Sequence, residues 1–244
     1  MDDSTPLADQ VGLVTGGGTG IGLAVARSLV EAGMRVALLG RRADVLDEAA
    51  SALGPLAFAV PCDITSLEET AAALSRVRSE YGPTDLLVHS AAAIEPEAVP
   101  LWEVDPAVTW SVVETCLRGP LLLDAIVLGD MVARGRGRVV TIASEARAAA
   151  LSGTYTGYAV GKRAATLLTR TLAGSLAGTG VVALDVLPGL VRTELTDSMS
   201  VWRENPPERW DDPAWTAATV LNVALGRHDD AAGAMLDAVA LHGS

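Results

Sequence analysis

The feature that most constrains the fold of this 244-residue chain is a short apolar run that leads directly into a glycine-rich segment. Val11–Thr15 is typical of a buried strand, residues 16–22 include five glycines, and residues 23–30 have a helical pattern. Glycines let the backbone approach a phosphate, and a helix N-terminus offers free N–H groups to it. The segment therefore predicts a nucleotide-binding turn in an α/β sheet; a tight turn without a ligand is the alternative.

Apolar runs and helical patterns alternate along the rest of the chain. Further strands are predicted at 34–39, 56–60, 85–89, 138–143, 181–187 and 234–239, and the clearest helices at 66–81, 106–133, 158–177 and 212–225. This order predicts one α/β domain over residues 1–244. We expect a doubly wound, Rossmann-like fold with a mostly parallel seven-stranded sheet and helices on both faces.

Composition narrows the class of protein. The net charge is −12, which argues against nucleic acid and anionic membranes as partners. Cys62 and Cys116 make no disulfide framework, which favours a reducing compartment. The N-terminus lacks a basic-then-apolar signal, and no run reaches the ~20 apolar residues of a membrane span. We expect a cytoplasmic enzyme without a metal site.

A second motif places a tyrosine and a lysine four residues apart. Tyr158 and Lys162 would lie one turn apart on one helix face, with the ammonium close to the phenol. A free phenol titrates near ~10, and a neighbouring cation lowers that pKa toward the working range of an acid or base. Ser144 lies upstream, at the end of a predicted strand. The same spacing occurs on helices without a catalytic role, so its weight depends on the other motifs.

Together these motifs resemble those of the short-chain dehydrogenase/reductase family, from Val11 to about Asp237. Four motifs in the family's order carry the resemblance: Thr15-Gly-x-x-x-Gly20-x-Gly22, a serine on the fifth strand, Tyr158-x-x-x-Lys162, and Pro188-Gly189-x-x-x-Thr193. The resemblance implies an oxidoreductase that uses a nicotinamide cofactor and a small carbonyl or alcohol substrate.

The resemblance also implies the role of each site residue. Tyr158 would give a proton to the carbonyl oxygen, Ser144 would hold that oxygen, and Lys162 would lower the pKa of Tyr158 and bond the nicotinamide ribose. Thr193 would meet the carboxamide, and Asp63 the adenine, unless Asp63 is an ordinary residue before a helix N-cap. The implied cofactor contacts are Thr15, Gly16, Thr19, Gly20, Ile21, Gly22, Arg41, Arg42, Asp63, Ile64, Ala91, Tyr158, Lys162, Pro188, Gly189 and Thr193.

The end of the second strand bears on the choice of cofactor. An acid there typically holds a free ribose 2′-hydroxyl, whereas arginine meets a 2′-phosphate. The strand ends in Gly40-Arg41-Arg42 with no acid at the turn, and Arg41 offers a planar fork suited to phosphate. These residues favour NADP(H) over NAD(H). Thr19 leaves the glycine turn without a further basic residue, and both arginines could instead solvate a surface turn.

Two positions depart from the family pattern. His89-Ser90-Ala91-Ala92 stands where the family usually has Asn-Asn-Ala-Gly. His89 is interpreted as a residue that hydrogen-bonds backbone in an asparagine site, with a second acid or base as the alternative. Cys116 stands where an asparagine completes the family's catalytic tetrad. The backbone carbonyl of the relay survives this change, but a kink that the asparagine stabilises can be lost. We expect an inert thiol and a proton relay that is weakened, rebuilt with another water or unused.

Three functions are compatible with these residues. The favoured one is NADPH-dependent reduction of a ketone to a secondary alcohol, or the reverse reaction. The second is elimination, isomerisation or cyclisation on the same fold, with Tyr158 and His89 as acid and base. The third is a cofactor-binding assembly protein with little turnover. Hydride transfer to or from the nicotinamide separates the first from the others.

The segment at about 194–215 follows the motif that would contact the nicotinamide. It carries Trp202, Trp210 and Trp215, which predict either an apolar lid for a cyclic or polyketide-like ketone or packing onto the body or a partner subunit. The resemblance further implies a homotetramer, or a dimer, built on the helices at 106–133 and 158–177 and the last strand.

Overall fold

Seven parallel strands form one sheet in the structure, a computed structural model that describes residues 6–144 and 153–243. The strands are β1 Val11–Thr15, β2 Arg35–Gly40, β3 Ala57–Pro61, β4 Leu86–His89, β5 Gly137–Ile142, β6 Val181–Leu187 and β7 Met235–Asp237. Their order is β3-β2-β1-β4-β5-β6-β7, so the chain reverses its direction of travel across the sheet between β3 and β4. This arrangement confirms the predicted Rossmann-like fold.

Helices cover both faces of the sheet. They are α1 Gly20–Glu31, α2 Ala43–Leu53, α3 Leu67–Tyr81, α4 Pro106–Val113, α5 Gly119–Arg134, α6 Thr156–Leu176, α7 Glu194–Ser198, α8 Ser200–Glu204, α9 Pro213–Ala224 and α10 Ala238–His242. One face packs against α1, α2, α9 and α10, and the other against α3, α5 and α6. Among the described residues, no helix is long and apolar enough to cross a membrane.

The continuous apolar runs of the sequence follow from this burial on both faces. In β1, Leu13 packs into one core and Val14 into the other, and both are fully buried. A strand covered on both sides has no solvent-facing positions, so apolar and polar residues do not alternate along it.

The structure differs from the sequence prediction in two segments. A π-helical turn at Glu114–Arg118 interrupts the helix predicted over 106–133. The segment predicted as non-periodic contains α7 and α8, each five residues long, which is too short for a periodic pattern to show. Thr193 caps α7, because its hydroxyl accepts from the Thr196 N–H and the Thr196 hydroxyl accepts from the Thr193 N–H.

Candidate active site

The glycine-rich turn after β1 has a backbone that favours glycine at several positions. Gly16 has a φ of +65°, in the left-handed region. A Cβ at Gly22 would overlap the carbonyl oxygen of Gly16. Helix α1 begins at Gly20, and the N–H groups of its first turn have no acceptor within the helix. The turn therefore has the geometry of an anion-binding helix N-terminus.

A cavity of about 960 Å³ runs from this turn past the ends of β4, β5 and β6. Its volume lies near the top of the range of about 300–1,000 Å³ typical of ligand sites. It lies where the strand order reverses, the position at which open α/β sheets bind ligands. The predicted site residues that line it are Gly16, Thr19, Gly20, Ile21, Gly22, Arg41, Arg42, Asp63, Ile64, Ala91, Ser144, Tyr158, Lys162, Pro188, Gly189 and Thr193.

Thr15 lies behind the cavity wall, in contrast to its predicted place on it. Its buried Oγ1 accepts hydrogen bonds from the N–H groups of Ser90 and Ala91, both at 3.0 Å, and donates to the Val88 carbonyl at 3.3 Å. Thr15 therefore joins the ends of β1 and β4 and shapes the cavity from behind.

Charged side chains surround the end of the cavity beyond β2. Nη2 of Arg42 lies 2.8 Å from Oε2 of Glu194, in an exposed ion pair between the β2–α2 turn and the start of α7. Oδ1 of Asp63 accepts from the N–H and the hydroxyl of Thr65, at 2.9 and 2.7 Å. Burial acts to raise the pKa of Asp63, but these bonds and the charge of Arg41 hold it below its usual value. Asp63 thus shapes the turn before α3 and also lines the cavity.

Ser144, Tyr158 and Lys162 meet at the other end of the cavity. The Ser144 hydroxyl, just after β5, hydrogen-bonds the phenol of Tyr158 in the first turn of α6. Lys162, one helical turn further on, reaches to β5, where its Nζ donates to the carbonyl of Ile142 at 2.9 Å. The three predicted catalytic residues therefore lie in one place, with Ser144 and Tyr158 in direct contact.

The structure contradicts the predicted effect of Lys162 on Tyr158. Burial raises the pKa of Tyr158 to about 12; the bond with Ser144 opposes the rise, and Cys116 adds to it. Burial also lowers the pKa of Lys162, and its ammonium is bonded to a strand carbonyl. The prediction of a lowered Tyr158 pKa was wrong because burial is the largest influence on the phenol, and Ser144 and Cys116, rather than Lys162, are the side chains that act on its pKa. Tyr158 is a neutral phenol at neutral pH, the form that can give a proton.

Cys116 lies at the centre of the π-helical turn and is buried. Its Sγ donates to the carbonyl of Ala93, on the chain that follows β4, at 3.6 Å. Gly161 of α6 packs so closely that a Cβ there would lie 2.7 Å from the Cys116 Cβ. A π-helical turn is therefore present at this position without an asparagine, beside a thiol hydrogen bond and close packing of α6.

His89, the last residue of β4, is buried against α5 and does not line the cavity. Its Nε2 lies 2.8 Å from Oδ1 of Asp124, a buried residue of α5. Among the described residues, no group bonds its Nδ1. The expected backbone hydrogen bond was wrong, because α5 brings a carboxylate to this position. The location of His89 gives no support to a role as a second acid or base.

Asp185 is a second buried acid on the same face of the sheet. The strand register aligns Asp185 with Thr141 of β5, and Thr141 with His89 of β4. Asp185 has no exposed surface, and the Thr169 hydroxyl interacts with its carboxylate. The nearby Thr169 hydroxyl bonds Thr141 at 2.9 Å. Burial raises the pKa of Asp185 to about 7, against the opposing effects of Thr169, Arg170 and Lys162.

Glu95 is a site residue that sequence reasoning missed. Its buried carboxylate accepts hydrogen bonds from the N–H groups of Gly157 and Tyr158, the latter at 3.3 Å. A carboxylate at a helix N-terminus complements the helix dipole, so Glu95 fixes the turn of α6 that carries Tyr158. No local motif could reveal this contact, because more than sixty residues separate the partners.

Residues 194–204, which contain α7 and α8, cover the catalytic end of the cavity and are called the lid below. Leu195, Met199 and Trp202 of the lid line the cavity. Trp210 packs edge-on against Trp202, with ring centroids 6.3 Å apart. Trp215 instead packs against the core of the domain. Trp202, with Trp210 packed on it, thus fits the predicted lid, whereas Trp215 fits the prediction of packing onto the body.

Comparison with known proteins identifies the family. The family model described as short chain dehydrogenase matches residues 10–204. A short chain dehydrogenase of Pseudocercospora fijiensis is 34% identical over 199 residues, 78% of this chain; the match covers only 62% of that longer protein. The cis-4-hydroxycyclohexanecarboxylate dehydrogenase of Sinomonas cyclohexanicum is 36% identical over 191 residues, 77% of this chain and 76% of that protein.

A solved structure agrees with these matches. Actinorhodin polyketide ketoreductase, solved with NADPH, superposes with a TM-score of 0.84 at 29% identity, over 95% of this chain and 97% of its own. The chain therefore belongs to the short-chain dehydrogenase/reductase family. It is an oxidoreductase of a family that binds nicotinamide cofactors.

Proposed function

We propose that this protein is an NADPH-dependent oxidoreductase that interconverts a ketone and a secondary alcohol. One observation carries the proposal: Ser144, Tyr158 and Lys162 converge at one end of a cavity whose other end is the glycine-rich turn at the start of α1. The left-handed Gly16 and the close approach at Gly22 fit a pyrophosphate.

Each of these side chains has a separate role in carbonyl reduction. The reduced nicotinamide supplies the hydride when bound. Tyr158, a neutral phenol, gives its proton to the carbonyl oxygen, and Ser144 holds that oxygen against it. Lys162, whose Nζ donates to the Ile142 carbonyl, would bond the nicotinamide ribose, and Thr193 would meet the carboxamide. An oriented donor such as Ser144 can be worth about 3 kcal/mol of barrier.

Arg41 and Arg42 support the choice of NADPH. Both line the cavity where the ribose of the adenosine half would lie, and β2 ends without an acid. A relative of known structure carries NADPH. Arg42 is engaged by Glu194, so Arg41 is the residue that we assign to the 2′-phosphate.

Arg41→Ala is expected to raise the Kd for NADPH by about tenfold or more, the range of a charge-assisted hydrogen bond, and to leave the Kd for NADH almost unchanged. Both constants can be measured by energy transfer from tryptophan to the reduced nicotinamide. The matched control is Arg27→Ala, on an exposed position of α1 outside the cavity. Equal losses for the two nucleotides would show that Arg41 does not meet the phosphate.

The reaction itself is tested with a panel of ketones, at the absorbance band of reduced nicotinamide. The panel includes cyclic and polyketide-like ketones, because Trp202 adds an aromatic wall and two relatives are named for such compounds. Ketone-dependent oxidation of NADPH supports the proposal. Tight binding without oxidation across the panel would favour non-redox chemistry or a binding role.

The proposal includes a cytoplasmic homotetramer or dimer. Trp110, Leu121, Val160 and Leu167 leave large apolar surfaces exposed on α4, α5 and α6, a pattern typical of subunit interfaces. Both cysteines are buried and unpaired, as a reducing compartment favours.

A further inference from the structure

Tyr155 has an unusual backbone for a bulky residue. Its φ of 51° and ψ of 46° lie in the left-handed region, which a large side chain rarely adopts. Such strain persists where surrounding contacts over-determine the conformation, often beside active sites. Tyr155 lies three residues before Tyr158, so the contacts that hold it bear on the catalytic helix.

The side chain of Tyr155 is held by the lid. Tyr155 as a whole residue is 1% exposed, and it packs in one apolar cluster with Met199. Its Oη accepts a hydrogen bond from the N–H of Ser200 at 3.1 Å and lies 3.2 Å from the Ser200 Oγ. Ser200 is the first residue of α8, in the middle of the lid.

The main chain of Tyr155 is held by the catalytic helix. Its carbonyl accepts from the N–H of Ala159 at 3.0 Å, which makes Tyr155 the N-cap of α6. Glu95 fixes the next turn through the N–H groups of Gly157 and Tyr158. One residue is therefore bonded to α6 through its backbone and to the lid through its phenol.

The start of the lid has weaker ties to the body. The ion pair of Arg42 with Glu194 is largely exposed, and exposed pairs contribute little. By contrast, the buried cluster around Tyr155 joins Met199 and Trp202 of the lid to Tyr158. The interior contacts of the lid therefore centre on Tyr155.

We propose that Tyr155 is a positioning residue that ties the lid to the N-terminus of α6, so that seating of the lid over substrate and placement of Tyr158 are one coupled event. Its catalytic consequence rests on the proposed function, whereas the tie itself does not. When the hydrogen bonds between the Tyr155 phenol and Ser200 break, the lid is no longer bonded to the strained turn that leads into α6.

The test compares Tyr155→Phe, which keeps the ring and removes its hydroxyl, with Ser200→Pro, which removes both the N–H and the hydroxyl that meet the phenol. Proline suits the first position of a helix, and Met199 before it has the extended φ of −77° and ψ of 123° that proline requires. Tyr81→Phe on α3, whose ring stacks on Phe58, is the matched control.

The first readout is trypsin cleavage after Arg203, an exposed residue of α8, mapped by mass spectrometry on the full-length protein. Cleavage that follows reversible opening reports the population of the open lid. Tyr155→Phe and Ser200→Pro are each expected to cleave about two- to tenfold faster than wild type, and the double variant no faster than either alone. Unchanged cleavage in Tyr155→Phe, or effects that multiply in the double variant, would overturn the tie.

The second readout is steady-state kinetics at saturating NADPH, on a ketone that the wild type reduces. If seating of the lid also places Tyr158, each variant is expected to lower kcat by about two- to tenfold, because the released turn leaves the phenol less well placed even in the bound complex. KM changes little, because the open lid is a minor state of the free enzyme. An unchanged kcat beside faster cleavage would confine Tyr155 to lid stability and overturn the coupling. If the wild type reduces no ketone, the proposed function fails. The cleavage comparison alone then shows whether Tyr155 holds the lid to the N-terminus of α6.

Discussion

Tyr158→Phe is expected to lower the turnover number for ketone reduction by about 10²- to 10⁴-fold, the usual contribution of a positioned general acid. The substitution keeps the ring and the α6 backbone, which Glu95 and Tyr155 hold in place. The Kd for NADPH should therefore change by less than about twofold. Ser144 keeps its hydroxyl but loses its phenol partner.

Turnover and cofactor affinity should be measured in the same preparation. Loss of turnover with intact affinity assigns the proton to the phenol, whereas parallel losses indicate a damaged cavity. Tyr81→Phe, outside the cavity, controls for the loss of a phenol elsewhere. Full turnover in Tyr158→Phe would contradict the proposed mechanism.

Asp185→Asn is expected to stabilise the protein above neutral pH, although it removes a charged residue. The pKa of Asp185 rises from 3.8 to about 7 in the folded protein. Between these pH values the folded chain holds a proton that the unfolded chain has released, so the contribution of this group to stability falls as pH rises. At about 1.4 kcal/mol per pH unit, ionisation of Asp185 lowers the free energy of unfolding by on the order of 4 kcal/mol, and this decrease is complete above pH ~7. An asparagine at this position stays neutral, so the decrease does not occur in the variant.

Urea unfolding of wild type and variant at about pH 5 and 8 would measure this difference. The stability gain from Asp185→Asn should be larger at the higher pH. Asp124→Asn is the matched control: Asp124 is also buried but is bonded to His89 at 2.8 Å, so its loss should destabilise the protein. A gain from Asp185→Asn that does not depend on pH would show that the carboxylate is not the cause.

Features set by local geometry could be predicted from the sequence. The turn at Gly16–Gly22 is indicated by its own glycines, and Tyr158 and Lys162 share a helix face because of their spacing. The direction of the Tyr158 pKa could not be predicted, because it depends on how deeply the folded chain buries the phenol. The same limit applies to Glu95, whose partners lie more than sixty residues away.

The hydrogen-bond partners of buried side chains were the other feature that could not be predicted from the sequence. His89 occupies an asparagine position of the family, and its type suggested a backbone contact. Its actual partner, Asp124, lies on a helix whose register against the sheet is set by packing. Cys116 shows the converse: a π-helical turn forms there without the expected amide, and it packs against α6 and has a backbone acceptor for the thiol.

The Thr15 hydroxyl has a consequence for the order in which this chain folds. The hydrogen bonds that it accepts come from Ser90 and Ala91, about 75 residues further along. Pairing over such separations is slow to form, because loop-closure entropy must be overcome first. The groove beside the glycine-rich turn is therefore complete only when β1 and β4 are paired. A dinucleotide can bind only to the folded groove. At a concentration of a hundred times its Kd, it would raise the free energy of unfolding by about 2.7 kcal/mol.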